Sequence, residues 1–211
     1  MSFGAKYADN DGIRYNQTTK IIERILDDMK KSGEIKYWLE SCNVCACGCG
    51  VEAVGGEWKI KLPVFAGKEL FSQADMMMFF LYSTEGRARM PKLVDGVKEN
   101  EVADNLVYAI NEISTAKATL HEYKEGEIGA MRDDMIEALR RGSAIALSYL
   151  TDYNSGHYIA IVKYDEKART FMAYDSWAAN VHCKNNGVKE WYPEAFIITR
   201  ARPRFIEISA S

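Results

Sequence analysis

Proline is scarce in this chain, four in 211 residues, and its basic residues never gather into a run. The first shortage leaves no stretch with the composition of an extended linker, and there is no internal repeat or low-complexity tract. The chain therefore reads as a single domain over 1–211. The second shortage removes the electrostatic footprint of a nucleic-acid binder: 27 Lys and Arg against 30 Asp and Glu leave a net charge of −3. Long apolar runs are missing too. The best of them, 76–82 and 144–150, fall far short of the roughly 20 residues a bilayer span requires, so no membrane insertion is expected. The first residues lack the basic start and apolar core of a secretory signal, which predicts a cytoplasmic protein as synthesised.

Cysteine is neither abundant nor spread out. Four of the five, Cys42, Cys45, Cys47 and Cys49, are crowded together, and Cys183 is distant. An odd number at such tight spacing excludes a disulfide framework and leaves reduced thiols, metal ligands or a nucleophile.

What is present is ample apolar content, 47% of the residues, enough for a sizeable core. Ile21, Ile22, Ile25, Leu26 and Met29 fall at helical spacing over 21–29. A short strand is predicted over 58–62, an N-capped helix from Ser72 through 74–82, a loop over 84–100 and a helix over 105–113. An amphipathic helix over 127–141 carries Ile128, Met131, Met135, Ile136 and Leu139 and closes at Gly142. Strands are then predicted over 143–149, 158–164, 170–174 and 195–199, with polar turns at 152–156, 165–168 and 184–187. Helices first and an antiparallel sheet afterwards define an α+β fold.

Three stretches ask for a reason beyond packing: the cysteine cluster, Gly156-His157 at the head of an apolar run, and Tyr174-Asp175-Ser176-Trp177. They supply a thiol, an imidazole and a carboxylate. A hairpin turning at 165–169 would return Asp175 to the neighbourhood of His157, since paired strands lie about 4.8 Å apart. A carboxylate there fixes the imidazole tautomer and stabilises the imidazolium. Beside an imidazolium or at a helix N-terminus, a thiol pKa falls from about 8.5 toward about 4. The nucleophile stays open among Cys42, Cys45, Cys47 and Cys49. Cys42 is placed to start a helix with a small-residue face of Ala46, Gly50, Ala53 and Val54. Trp177 is expected to pack over the His157 and Asp175 pair and exclude water. His121 and His182 have no motif context and are read as structural.

A rival reading takes the cluster as a zinc module, Cys42, Cys45, Cys47 and Cys49 with His182 and Cys183. Only Cys42 and Cys45 have Cys-x-x-Cys spacing, and a second separated pair is missing. The hydrolase reading expects no metal and no organic cofactor, because the thiol itself carries the acyl group.

Cys42-Asn43-Val44, with Gly55 closing the presumed helix, resembles the nucleophile segment of papain-like cysteine peptidases of the bacteriocin-leader (double-glycine) type. That group includes the peptidase modules of some phage lysins. Gly156-His157, an apolar strand, a turn and then Asp175 are similar to the second half of that family's active site, and Asp175-Ser176-Trp177 resembles the Asn-Ser-Trp of papain. Tyr15-Asn16-Gln17 resembles the element that carries the oxyanion glutamine, whereas Cys45-Ala46 departs from the family's Thr-Ser or Pro-Thr. The resemblance implies a papain-like fold, with an N-terminal helical half whose nucleophile helix packs on a C-terminal antiparallel β-sheet. It implies a Cys42-His157-Asp175 triad, Gln17 in the oxyanion hole, and Gly156 and Trp177 beside the substrate. The expected substrate is a peptide bond, in a protein or in the stem peptides of a bacterial cell wall reached with the help of a releasing protein. A papain-like domain that binds without catalysis is the remaining alternative.

Overall fold

The computed structural model describes residues 1–5, 99–113, 116–150, 156–174 and 190–209. The elements expected over 21–29, 58–62 and 74–82, and the N-terminal helical half as a whole, lie outside these residues.

Helix α1 spans Glu99–Ile113 and buries Ala103, Leu106 and Ile110 at helical spacing. It starts six residues before the predicted 105. Its first turn reads Glu99-Asn100-Glu101 in sequence, a charge-rich start that apolar spacing alone reads as loop. Strand β2, Lys117–Glu122, follows. Asn111 joins the two: its side chain donates to the Ala118 carbonyl at 3.0 Å and accepts from the Ala118 N–H at 2.8 Å.

Helix α2, Ile128–Arg140, is the amphipathic helix the sequence predicts, burying Met131, Met135, Ala138 and Leu139. It stops where Gly142 adopts φ +88°, which glycine reaches without steric cost. The Gly142 N–H then bonds the Leu139 carbonyl and the Ser143 N–H the Ala138 carbonyl, each at 3.0 Å. This double closure satisfies two carbonyls the helix end would leave open.

Strands β3 (Ala144–Leu150), β4 (Gly156–Asp165) and β5 (Thr170–Tyr174) follow as predicted, within two residues at each end. β3 is buried almost throughout and shows no polar alternation, the pattern of a strand covered on both faces. The chain continues into β6 (Glu190–Pro193), helix α3 (Glu194–Arg200) and β7 (Arg204–Ser209). With β1 (Ser2–Gly4) these strands form an antiparallel sheet in the order β2-β7-β3-β4-β5-β6, and β1 pairs with β4.

The strand predicted over 195–199 is a helix instead. Its β-branched Ile197, Ile198 and Thr199 suggest strand, but Pro193 at the N-cap and Glu194 in the first turn favour helix start. The Thr199 hydroxyl bonds back to the Ala195 carbonyl at 2.7 Å, and Ile197 is driven into the core.

One face of the sheet packs against α2 and α3. Ile145, Leu147 and Tyr149 of β3, Ile159 and Ile161 of β4, and Phe171 and Ala173 of β5 form a single cluster with Met131, Met135, Leu139 and Ile197. Each fully buried aliphatic side chain in it stabilises the fold by about 1.5–3 kcal/mol. β4 carries one extra residue against β5: Met172 faces Lys163 and Ala173 faces Ile161, so the bulge falls at Val162. At the same bulge, β1 approaches so closely that a Cβ on Gly4 would clash with the Val162 carbonyl oxygen.

Candidate active site

Gly156 opens β4 opposite Leu150, and His157 stands opposite Tyr149. Antiparallel partners that face one another project to the same side of the sheet. His157 therefore shares the α2/α3 face with Tyr149, and it is 4% exposed. The two rings meet edge to face, 5.7 Å between centroids at 74°. Tyr149 in turn meets Phe196 of α3 at 6.0 Å and 66°. Phe196 stacks on Tyr192 at 5.7 Å and carries the Arg200 guanidinium over its ring at 4.4 Å. A continuous aromatic row thus runs from α3 to the imidazole.

β5 ends at Tyr174, whose partner is Ala160, three residues along β4 from His157. The predicted hairpin is therefore present, and it brings the residue before Asp175 to this end of the sheet. Gln17, Cys42, Asp175 and Trp177 lie outside the described residues, as do Cys45, Cys47, Cys49, His182 and Cys183 of the zinc reading. Among the described residues no group of three or more His, Cys, Asp or Glu is arranged to hold a metal ion. No helix among them is long and apolar enough to cross a membrane.

The far end of the hairpin is a separate polar centre. Asp165 accepts from the N–H groups of Lys167 and Ala168, each at 2.9 Å, and these bonds, that of Ala168 foremost, hold its carboxyl below the usual range. It lies eight residues from His157 along β4, about 26 Å at strand rise, too far to orient that imidazole. Arg169 adopts φ 52° to close the turn. Its guanidinium reaches Glu194 at 2.6 Å, and its carbonyl accepts the Glu194 N–H at 2.9 Å. The Tyr164 hydroxyl donates to the same carboxylate at 2.5 Å. Arg169, then Tyr164 and Arg132, hold the Glu194 carboxyl below the usual range despite burial. Burial and this bond push the Tyr164 phenol up to about 12. These groups line a cleft of about 450 Å³ beside α2, remote from His157.

His121 is structural, as expected. It stacks on Phe205 at 4.6 Å and 12°, and its Nε2 lies 3.2 Å from Glu207. Tyr149 had no place in the sequence reading. Sequence order does not show it: only the pairing of Leu150 with Gly156 sets 149 opposite 157.

An α+β architecture with helices laid on an antiparallel sheet, and a buried histidine at the head of a central strand, fit the papain-like class of cysteine peptidases. The Peptidase_C39 like family matches residues 74–199, more than half of the chain. The chain belongs to that family. The matched stretch contains Gly156, His157, Asp175 and Trp177 and begins after Gln17 and Cys42. No curated protein matches the chain. Among solved structures it is similar to xylellain, a cysteine protease from Xylella fastidiosa, at 20% identity and TM-score 0.30; the likeness covers 37% of this chain and 37% of that one. It is also similar to the N-terminal peptidase C39 like domain of the toxin secretion ATP-binding protein from Vibrio parahaemolyticus, at 9% identity and TM-score 0.32, over 64% of this chain and 93% of that one.

Proposed function

We propose that the chain hydrolyses peptide bonds with a Cys42-His157-Asp175 triad, Gln17 and the Cys42 N–H stabilising the oxyanion. The observation that carries this reading is the position of His157, buried at the head of β4 on the face it shares with Ile159 and Ile161. The bulge at Val162 adds to it. Because Ala173 faces Ile161, odd positions of β5 share a face with odd positions in this half of β4, and Asp175 has the parity of Phe171 and Ala173. Without the extra residue Asp175 would have the parity of the opposite face.

In this mechanism the Cys42 thiolate attacks the carbonyl carbon and forms the S–C bond. Collapse of the tetrahedral intermediate breaks the C–N bond while His157 gives its proton to the leaving amine. His157 then takes a proton from water, whose oxygen displaces the thiolate and releases the acid. Asp175 orients the ring throughout, Trp177 shields the pair from water, and Gly156 leaves room for the substrate backbone. The substrate class we infer is the stem peptide of a bacterial cell wall, on the resemblance to phage lysin modules, with synthesis in the cytoplasm and release by another protein.

The test is a panel of Cys42→Ala, Cys45→Ala, Cys47→Ala, Cys49→Ala, His157→Ala and Asp175→Ala, assayed on purified peptidoglycan and on a peptide library. Loss in Cys42→Ala and His157→Ala of at least about 1,000-fold, with the other three cysteine variants active, is expected. Loss confined to another cysteine moves the nucleophile, and undiminished activity in His157→Ala refutes the triad.

A further inference from the structure

We propose that Tyr149 is a positioning residue for His157, its ring a fixed wall that sets the orientation of the imidazole. This rests on the reading of His157 as the acid and base of the site.

Tyr149 is immobilised from three directions. Its strand pairs with β4 on one side, at His157 itself. On the other side Tyr149 forms a bridge with Ala201, reinforced by the Arg202 N–H donating to the Ser148 carbonyl at 3.0 Å. From the helix layer Phe196 packs edge-on against the ring, and Phe196 is itself held between Tyr192 and Arg200. Tyr149 is 1% exposed. A ring so enclosed has little freedom to turn, and its edge-to-face contact with His157 confines the imidazole. Proton transfer needs that confinement, since a reacting group misplaced by about 1 Å can cost about 100-fold in rate. Tyr149 acts through His157 and is not itself catalytic.

Tyr149→Phe keeps the ring and Tyr149→Leu removes it; Phe196→Leu removes the backing without touching the pair. Peptidoglycan hydrolysis measures kcat and KM. Iodoacetamide alkylation of Cys42 between about pH 4 and 9 measures the thiolate and imidazolium pair directly, a quantity that fold stability alone does not move. Tyr149→Leu is expected to lower kcat about 10- to 100-fold with KM within about twofold, and to move the acid limb of alkylation to higher pH. Phe196→Leu is expected to give a smaller change in the same direction, and Tyr149→Phe to behave as the parent. An unmoved acid limb in folded Tyr149→Leu, or in folded Phe196→Leu if Tyr149→Leu does not fold, overturns the proposal. His157→Ala separates the two levels. If it leaves the limb in place, the triad reading fails and this inference with it. If it moves the limb while the ring variants do not, only the positioning role fails.

Discussion

Glu207 shows how one side chain on this sheet is kept ionised under partial cover. Burial works against its charge, yet the Ser143 hydroxyl at 2.7 Å and the Arg141 guanidinium at 2.9 Å outweigh that, with His121 adding to them, so the carboxyl is held below its ordinary 4.5. A lowered folded value means the contribution is complete above the unfolded pKa and disappears as pH falls through the folded one. Glu207→Gln should cost about 1–2 kcal/mol at neutral pH. Urea unfolding should show that gap closing below about pH 4; a gap constant with pH contradicts the assignment. The place of His157 at the head of a buried strand was legible from sequence because Gly156-His157 opens a long apolar run. The contact of Tyr149 with His157 was not, because that contact comes from register and from Phe196, which sequence order places far away.

Each helix and strand depends on a few contacts that decide where it stops. β1 docks only because Gly4 has no side chain to meet the Val162 carbonyl. Gly4→Ala should cost about 1–3 kcal/mol. It should also speed amide hydrogen exchange at Ala5 and Glu166, whose N–H groups bond to Val162 and Met1; unchanged exchange there would refute the tight approach. At the same end of the hairpin, Glu194 ties α3 to β4 and to the β4–β5 turn through Tyr164 and Arg169. Glu194→Ala should cost about 2–3 kcal/mol, because it strands the buried Tyr164 hydroxyl. A cycle with Tyr164→Phe in thermal unfolding should show strong coupling, and additive losses would argue against the clamp. α2 and the β3–β4–β5 run were legible because their apolar periodicity is long and uninterrupted. α3 was not: seven residues are too few for period to outweigh a β-branched triplet, and Pro193 and packing decide it.

For the molecule as a whole, the sheet acts as the rigid plate on which the site is assembled. Its central strands are buried on both faces, and the bulge at Val162 sets which side of β5 shares a face with His157. The sequence order of helices before strands indicated the α+β class, but β1, β2, β6 and β7 escaped notice. They are short, and they pair with partners distant in the chain. In the proposed triad, His157 activates Cys42 for attack on a carbonyl. The most direct measurement is substoichiometric iodoacetamide labelling near pH 6, with each of the five cysteines quantified by peptide mass analysis in the parent and in His157→Ala. Cys42 is expected to be labelled well ahead of the rest in the parent and to lose that lead in His157→Ala. Even labelling across the cluster, or a Cys42 lead that survives the loss of the imidazole, would contradict it.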